Sequence, residues 1–299
     1  MNNIQGILLV VFAMAGFTIE DMFIKQLSDP LPTSQILIWL GLGSSLIFAA
    51  LAVLRGDKIF APEAWKTLPL IRAAGEAVAA MAFASALALV DISTVAAVFQ
   101  ALPLVITMGA ALFLGEKVGW RRWTAIGLGF IGVLLIIRPG MAGFDPATLL
   151  VLIAVFAIVV RDLVTRRLDP SISSYVVSMQ GFASMVVAGL VMMPFTTKAA
   201  GVIGSSEAAM FTGAILFGAL GYWGIVTAMR LGEASVVAPY RYSRLLFSII
   251  IGVVVFGERP DLPTLAGAAL IIGSGLYTFL RERQLAKPVP LPQSEFPAD

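Results

Sequence analysis

Two similar stretches of the chain decide the fold: residues 86–117 read ALALVDISTVAAVFQALPLVITMGAALFLGEK, and residues 228–259 read AMRLGEASVVAPYRYSRLLFSIIIGVVVFGER. Aligned without gaps at a separation of 142 residues, they share eight of 32 positions. The shared positions in the first stretch are Ala86, Leu89, Ser93, Val95, Ala96, Leu104, Gly115 and Glu116. Both stretches end in glycine, glutamate and a basic residue, and each has an acidic residue (Asp91, Glu233) near its beginning. The chain is therefore predicted to contain an internal repeat.

Around this repeat, the composition is that of a membrane protein. Of the 299 residues, 59% are hydrophobic and only 13% are charged, against roughly 25% charged residues in soluble domains. Lipid must therefore be the solvent for most side chains. A spanning helix needs about 20 apolar residues, and breaks at Pro, Gly and charge clusters delimit ten such runs. They are residues 4–25, 33–54, 68–90, 92–114, 120–137, 146–165, 172–193, 207–228, 235–256 and 262–281.

The repeat period corresponds to five spans, which is an odd number. Each copy therefore enters the membrane in the opposite orientation, and the sequence predicts an all-α membrane protein of two inverted five-helix halves. The halves are residues 1–140 and 141–285, and the proline-rich tail, residues 286–299, is predicted to be disordered and cytoplasmic. Inverted repeats are the architecture of alternating-access transporters. A structural membrane protein that arose by duplication is the alternative.

Basic residues in the loops predict the orientation, because Lys and Arg concentrate on the cytoplasmic side. With the N-terminus placed inside, thirteen basic residues lie on the inner side and four on the outer side. The inner set is Arg55, Lys58, Lys66, Lys117, Arg121, Arg122, Arg161, Arg166, Arg167, Arg230, Arg281, Arg283 and Lys287. The outer set is Lys25, Arg138, Lys198 and Arg259. Both termini are therefore predicted to be cytoplasmic.

The residue types exclude several classes of function. The chain has no cysteine and no histidine, which excludes disulfides, Cys/His zinc sites and a histidine general base, and no metal or cofactor is expected. Gly127-Leu-Gly129-Phe-Ile-Gly132 matches a dinucleotide fingerprint, but that fingerprint needs a preceding strand, and here it lies inside a predicted helix. No Walker A motif occurs, and a net charge of +2 gives no sign of nucleic-acid binding. An intramembrane aspartyl enzyme is the remaining catalytic alternative, and its candidates Asp21 and Asp162 fall on opposite halves of the bilayer.

Several motifs in both halves point to a known family. In the first half they are Ala86-Leu87-Ala88-Leu89, Pro103-Leu104, Leu114-Gly115-Glu116, Gly127 and Gly132, and in the second half Leu231, Gly257-Glu258, Gly267 and Gly273. With them the chain resembles the EamA-type repeats of the drug/metabolite transporter superfamily over residues 4–281, and within it the bacterial inner-membrane exporters of aromatic amino acids. The resemblance implies ten helices, cytoplasmic termini, export, and a cavity lined by the first four helices of each half. Residues 240–244 are more polar than the matching residues 98–102, so a symmetric site is not expected.

Charged residues within spans are the first candidates for a binding site or gate. A charge at the membrane centre costs about 2.5–3.5 kcal/mol on insertion scales, so each one needs a reason. Arg72 and Glu76 lie four residues apart on one helix face, which fits either a structural ion pair or contacts to a substrate's carboxylate and ammonium groups. Arg244 is predicted to be a gate or ligand contact, whereas Arg241 is either the same or a residue that reaches the headgroups. The acids available to these arginines on the inner half are Glu76 and Asp162.

Further candidates are carboxylates, amides and aromatic rings. Glu20 on the first span, or Glu76, is a candidate for proton coupling, and an anchor at the membrane interface is equally compatible with Glu20. Gln100, three residues before the kink-forming Pro103, and Gln180 are hydrogen-bonding candidates. The aromatic candidates for the cavity wall are Trp39, Phe99, Tyr222, Trp223, Tyr240 and Tyr242, and among them Tyr222 and Trp223 are favoured.

Together these features predict a transporter, not an enzyme, that exports small metabolites, chiefly amino acids (aromatic or broad-range), through a cavity between two halves. The expected partners are a small-molecule substrate and the lipid bilayer of the bacterial inner membrane, with no nucleic acid. An exporter of drugs or other metabolites is the alternative within transport, and a packing subunit of a larger complex is the alternative outside it. Monomer and homodimer are both open.

Overall fold

The computed structural model describes residues 3–115, 118–141, 144–165, 167–231 and 237–285. Within these residues all regular secondary structure is helical, and ten segments are long and apolar enough to span a membrane. The ten predicted spans are therefore confirmed. Predictions that rest on Glu116, Lys117, Arg166, Glu233, Ser235 and the tail 286–299 fall outside the described residues.

The described helices follow the predicted spans closely. They are α1 (Asn3–Leu27), α2 (Thr33–Leu54), α3 (Thr67–Leu89), α4 (Ile92–Phe99), α5 (Leu102–Phe113), α6 (Trp120–Ile137), α7 (Leu149–Thr165), α8 (Ser174–Met192), α9 (Ser205–Leu231), α10 (Ser243–Phe256) and α11 (Leu262–Leu285). Short 3-10 segments are formed by Pro62–Trp65, Pro146–Thr148, Met193–Phe195 and Ala238–Tyr242. The fourth span consists of α4 and α5, and the ninth consists of the last 3-10 segment and α10.

Each half of the bundle finds its main packing partners in the other half. α1 packs on α9, α3 on α7, α2 on α8 and α6 on α11. In the order of the spans, these pairs are 1 with 8, 3 with 6, 2 with 7 and 5 with 10. A rotation of the bundle by half a turn, which exchanges the two halves, places the pair of spans 1 and 8 on the pair 3 and 6. The same rotation leaves the pairs 2 and 7 and 5 and 10 unchanged. The packing therefore has the pseudo-symmetry of an inverted repeat.

Two of these helix pairs touch backbone to backbone at a glycine. A Cβ on Gly132 of α6 would lie 2.6 Å from the carbonyl oxygen of Gly267 on α11. A Cβ on Gly41 of α2 would lie 2.7 Å from the carbonyl oxygen of Phe182 on α8. Larger side chains would push these helices apart, so Gly132 is a packing residue and not part of a dinucleotide fingerprint.

The fourth span is interrupted, and the described part of the ninth span begins with a 3-10 segment. α4 ends at Phe99 and α5 begins at Leu102, next to Pro103, which has no N–H to donate to the helix. In the ninth span, the 3-10 segment Ala238–Tyr242 contains Pro239 and precedes α10. These two irregular segments fall next to each other when the repeats are aligned, because the 3-10 segment matches residues 96–100. They place irregular backbone inside the protein, where membrane transporters form their binding sites.

The bundle is packed near one face and open at the other. We call the side on which α1 begins the N-terminal face and the side on which it ends the opposite face. Near the opposite face, Leu27, Leu31, Leu87 and Ile92 are each at most 1% exposed. Packed apolar side chains therefore close the opposite face. The cavity between the two halves lies in the N-terminal half of the bundle.

Candidate functional site

A cavity of about 440 Å³ lies between the two halves, and we call it the central cavity. It is lined by Met14, Phe17, Arg72, Glu76, Phe99, Gln100, Leu102, Pro103, Ile158, Arg161, Asp162, Thr165, Ser178, Gly181, Phe182, Tyr222, Ile225, Arg241 and Arg244. Thr165, the last residue of α7, is exposed, so the cavity reaches the N-terminal face. Toward the opposite face it ends at packed side chains.

Four charged side chains form one wall of the central cavity, and we call them the inner charge cluster: Arg72, Glu76, Arg161 and Asp162. Glu76 accepts a hydrogen bond from Arg161 at 2.9 Å and pairs with Arg72 at 3.4 Å. Arg161 also pairs with Asp162 at 2.9 Å. The four side chains are 13% to 34% exposed, so all of them are accessible from the cavity. The expected Arg72–Glu76 pair is present as part of this larger network.

Arg244 stands at the closed end of the central cavity. Its Nη2 atom lies 2.6 Å from Oδ2 of Asp21 on α1, and the Asp21 side chain is only 6% exposed. The rings of Phe17, Phe83 and Phe99 surround the guanidinium, with centroids 5.2 to 5.7 Å away. A buried ion pair enclosed by three aromatic rings therefore blocks the way to the opposite face. We call these five residues the plug.

The two arginines of the ninth span have different surroundings. The sequence offered Glu76 and Asp162 as acids for both, and for Arg244 this expectation is wrong. Arg244 lies one turn deeper than Arg241, at the level of Asp21, whereas the other two acids lie nearer the N-terminal face. Arg241 faces the cavity, where Asp162 acts on it electrostatically, and it has no carboxylate at salt-bridge distance among the described residues.

Four aromatic rings form another part of the lining of the central cavity, and we call them the aromatic wall. It consists of Phe17, Phe99, Phe182 and Tyr222. Phe48 supports it from behind: its ring stacks on Phe182 at 5.4 Å and meets Tyr222 edge-on at 5.2 Å. The Tyr222 hydroxyl accepts a hydrogen bond from Ser178 at 2.8 Å, which fixes the ring in place. The wall therefore presents flat apolar faces with one hydroxyl group.

Six of the nine residues predicted to bind substrate or form a gate line the central cavity: Arg72, Glu76, Phe99, Gln100, Tyr222 and Arg244. Gln180 does not, because its amide donates to the Ala64 carbonyl at 2.6 Å and anchors the 3-10 segment between α2 and α3. Trp223 and Tyr240 are 56% and 44% exposed and lie outside the lining. Each is adjacent in sequence to a residue that points inward, and neighbouring helical residues point about 100° apart.

Glu20 and Asp21 also point in different directions. Asp21 enters the plug, whereas Glu20 lies over Gly218 of α9, where a Cβ would be 2.7 Å from the Glu20 carboxylate. Glu20 is outside the lining of the central cavity, and Glu76 is the proposed coupling carboxylate that lies within it. Proton coupling through either residue stays a prediction.

Several residues of the site were not predicted from the sequence to line it. The position of Arg161 and Asp162 near a helix end predicts an anchor at the membrane interface, and this prediction is wrong, because both residues line the central cavity. Arg161 has a usable signal, because it is a charged residue inside a predicted span that also contains Asp162. Phe17 and Phe182 carry no such signal, since the chain has 19 phenylalanines and most of them pack or face lipid. Phe83 of the plug is hidden for the same reason.

The arrangement is suited to an organic solute rather than a metal ion. Within the described residues, no group of three or more His, Cys, Asp or Glu side chains could hold a metal. The lining of the central cavity instead contains both charged hydrogen-bonding groups and aromatic rings. Such a site can bind a molecule that is polar at one end and apolar at the other.

A second buried charge contact lies at the opposite face. Glu258, 7% exposed, accepts hydrogen bonds from the backbone N–H groups of Ile92 at 2.7 Å and Ser93 at 3.1 Å, and from the Ser93 hydroxyl at 2.7 Å. It thereby caps the N-terminus of α4 from the other half of the protein. Lys25 lies 4.0 Å from Glu258. Partial desolvation and the negative charge of Glu258 raise the pKa of the exposed Asp91, while Lys25 opposes this rise.

Comparison with known proteins gives the chain its family. The sequence model of the EamA-like transporter family matches residues 4–138 and again residues 145–280. An S-adenosylmethionine uptake transporter of Rickettsia conorii is 29% identical over 198 residues, which is 66% of each chain. A riboflavin transporter of Vibrio cholerae is 32% identical over 57% of this chain and 56% of its own length. The pseudopaline exporter CntI of Pseudomonas aeruginosa is 24% identical over 90% of this chain and 93% of the exporter.

A solved crystal structure shares the fold, with a TM-score of 0.60 and 19% identity over 90% of this chain and 98% of the other. The chain spans 66% of the length of the S-adenosylmethionine transporter that it matches. The relatives are transporters, in agreement with the prediction that the chain is not an enzyme. The narrower resemblance to exporters of aromatic amino acids stays a prediction. The chain belongs to the EamA-like transporter family and is a multi-pass membrane protein.

Proposed function

We propose that the chain exports small metabolites that carry an amino-acid head group and an apolar or aromatic part. The observation that supports this most directly is that charged side chains and aromatic rings line the same cavity of about 440 Å³. This volume falls within the usual range of ligand pockets, roughly 300–1,000 Å³. The aromatic amino acids are the simplest members of the proposed substrate class.

The charged wall suits both ends of an amino-acid head group. Arg241 lacks a carboxylate at salt-bridge distance among the described residues, so its guanidinium is available to a substrate carboxylate. Glu76 and Asp162 offer carboxylates to a substrate ammonium group. Four arginines line the central cavity against two carboxylates, which favours a substrate with at least one negative group.

The aromatic wall suits a flat ring, and the cargo named for two relatives contains one. S-adenosylmethionine, the cargo of the Rickettsia transporter, joins an amino-acid head group to a flat adenine ring. Riboflavin, the cargo of the Vibrio transporter, is built on a flat ring system. Stacking on Phe17, Phe99 or Tyr222 would bind such rings without requiring one particular ring chemistry.

We assign the N-terminal face to the cytoplasm, because thirteen basic residues are predicted on that side against four on the other. The central cavity reaches the N-terminal face and is blocked by the plug, which supports a state that loads substrate from the cytoplasm. Rocking of the two halves would then separate Asp21 from Arg244 and open the opposite face. Net export then follows the concentration gradient of the substrate from the cytoplasm to the outside.

Transport by purified protein in liposomes tests this proposal. Liposomes that hold labelled phenylalanine should lose it faster when they contain the protein, and an excess of tyrosine or tryptophan should slow that loss. Arg241→Gln should reduce efflux, whereas Trp223→Phe, outside the cavity lining, should leave it unchanged. A folded protein that moves no amino acid, in either direction and with or without a pH gradient, would overturn the proposal.

A second candidate is uptake of a flat-ring metabolite without an amino-acid head group. The aromatic wall and the match to a riboflavin transporter favour it. The same liposomes distinguish the two functions, because accumulation of riboflavin without movement of amino acids would select this candidate. An exporter of aromatic drugs would instead move neither class of metabolite.

A further inference from the structure

A second cavity of about 530 Å³ lies beside the central cavity, between α5, α6 and α11, and we call it the side chamber. The residues that line both cavities are Gln100, Leu102, Pro103, Arg161, Asp162 and Arg241. The interruption of the fourth span and Arg241 therefore stand between the two spaces. The aromatic wall does not extend into the side chamber, where Thr107, Tyr242 and Thr278 contribute hydroxyl groups instead.

Two buried hydrogen-bond donors of the side chamber are unused. The Gln100 Nε2 atom and the Tyr242 hydroxyl have no hydrogen-bond partner in the part of the chain that the structure describes. The two residues are 6% and 7% exposed. Gly275 of α11 leaves room for the Tyr242 phenol, because any side chain at that position would collide with it. Buried donors are nearly always satisfied in proteins, so both point to an acceptor that another molecule supplies.

The charges of the side chamber select the kind of acceptor. Arg161 is paired with both Glu76 and Asp162 at 2.9 Å, whereas Arg241 has no carboxylate at salt-bridge distance among the described residues. Guanidinium, amide N–H and phenol O–H groups are all donors. The guanidinium of Arg241 together with the two unused donors fits a carboxylate or a phosphate group.

We propose that the side chamber is a second subsite, which binds the anionic arm of a substrate whose ring lies against the aromatic wall of the central cavity. This inference rests on the proposed function and adds to its substrate class ring-bearing metabolites whose carboxylate or phosphate arm reaches the side chamber. The two cavities, of about 440 and 530 Å³, together approach the upper end of the range for ligand pockets, roughly 1,000 Å³.

Binding of matched pairs of compounds to the purified full-length chain tests the side chamber. S-adenosylhomocysteine and methylthioadenosine share a ring and a thioether, and only the first has an amino-acid arm. Riboflavin phosphate and riboflavin differ only in the phosphate. Calorimetric titration in detergent should give an affinity about tenfold higher for the member with the arm in at least one pair, the difference expected of a charge-assisted hydrogen bond. The pair that responds identifies carboxylate or phosphate.

Substitution of one tyrosine then assigns this preference to the side chamber. Tyr242→Phe removes only the hydroxyl, and it should abolish most of the preference for the arm while leaving the compounds without an arm unaffected. Tyr240→Phe is the matched control, because it makes the same change in the same 3-10 segment at a residue that lines neither cavity. Equal weakening of both members of a pair by Tyr242→Phe would assign Tyr242 to packing and overturn the proposal.

Two further outcomes distinguish a substrate subsite in the side chamber from a lipid-binding site and from no second subsite. If anionic lipid in nanodiscs abolishes the preference for the arm, compared with zwitterionic lipid, the side chamber binds a lipid headgroup and the inference fails. If liposomes export phenylalanine but the arm raises the affinity in neither pair, the proposed function stands and the second subsite is wrong. Absence of both phenylalanine export and a preference for the arm in folded protein rejects both.

Discussion

The two ends of the central cavity use the same residue types in different surroundings. At the closed end, Asp21 and Arg244 form one ion pair whose side chains are 6% and 16% exposed, enclosed by three phenylalanine rings. At the open end, Glu76 is shared between Arg72 and Arg161, and the side chains of the inner charge cluster are 13% to 34% exposed. One end holds a single pair whose carboxylate is buried, and the other holds a network whose two carboxylates are partly exposed.

Because of this difference, we expect the charges of the plug to stabilise the fold and the charges of the inner charge cluster to contact a substrate. A buried pair whose partners satisfy each other is strongly destabilised when one partner is removed, because the other charge is left in a medium of low dielectric. Partly exposed pairs lose little, because water replaces the missing partner. The plug should therefore control the stability of the closed face, while the inner charge cluster should exchange its internal pairs for contacts with a substrate.

Asp21→Asn is expected to have the largest effect on stability. It leaves the Arg244 guanidinium buried without its carboxylate, a change that typically lowers the free energy of unfolding by about 3–5 kcal/mol. Unfolding of the purified protein in detergent, followed by circular dichroism against temperature or denaturant, measures the loss. The Asp21→Leu/Arg244→Met double variant should regain most of it, because it removes both charges and retains apolar volume.

Glu20→Gln is the matched control for the plug. Glu20 is the preceding residue, but its carboxylate lies over Gly218 and makes no hydrogen bond to Arg244. Its loss should change the free energy of unfolding by less than about 1 kcal/mol. If Asp21→Asn and Glu20→Gln prove equally stable, the Asp21–Arg244 pair does not hold the closed face.

Glu258→Gln should have the second largest effect, since Glu258 joins the two halves at the opposite face. The carboxylate accepts three hydrogen bonds from Ile92 and Ser93, and an amide cannot serve all three donors equally. A loss of about 1–3 kcal/mol is expected, together with faster amide hydrogen exchange in the first turn of α4. Asp91→Asn is the control, because Asp91 is exposed and should change neither quantity much.

Disruption of the inner charge cluster should separate transport from stability. Glu76 is 22% exposed, so Glu76→Gln is expected to change the free energy of unfolding by about 1 kcal/mol or less. Efflux in liposomes should fall about tenfold or more, since this substitution removes a carboxylate proposed to meet the substrate's ammonium group. Unchanged efflux from a folded Glu76→Gln protein would mean that the cluster is structural, like the plug.

The fold could be predicted from the sequence because its signals are local. Span length depends only on a run of apolar residues, and the inversion follows from an odd number of spans per repeat. The turns that match between the repeats also have a local cause: Gly115 and Gly257 both adopt a left-handed conformation, with φ of 70° and 67°, which favours glycine. Side-chain chemistry did not enter these predictions.

The site could be predicted only where its contacts are local. Arg72 and Glu76 pair within one helix turn, so their spacing reveals the contact. Asp21 and Arg244 are 223 positions apart, and their contact depends on how α1 and α10 are rotated about their axes. The same rotation decides that Tyr222 lines the cavity and Trp223 does not. Hydropathy fixes the length of a helix but, in a bundle surrounded by lipid, not which face turns inward.

The smallest effect is expected at an exposed pair on the same face as the plug. Arg138 donates a hydrogen bond to Asp261, whose side chain is 48% exposed. The bonds from Arg138 and Thr264 hold the pKa of Asp261 at about 2, below the ordinary value of 3.8. Because the pKa is lower in the folded state, the pair stabilises the protein above about pH 4 and loses this effect as the pH falls toward 2.

Asp261→Asn tests whether burial, and not position on the closed face, makes the plug important. Solvent screening limits the expected loss to a few tenths of a kcal/mol, at most about 1 kcal/mol, at pH 7. The difference in unfolding free energy from the parent should shrink as the pH is lowered from about 4 to about 2, because Asp261 then becomes neutral in both states. If Asp261→Asn destabilised the protein as much as Asp21→Asn, exposure would not distinguish the two pairs. The closed face would then depend on every ion pair that crosses it.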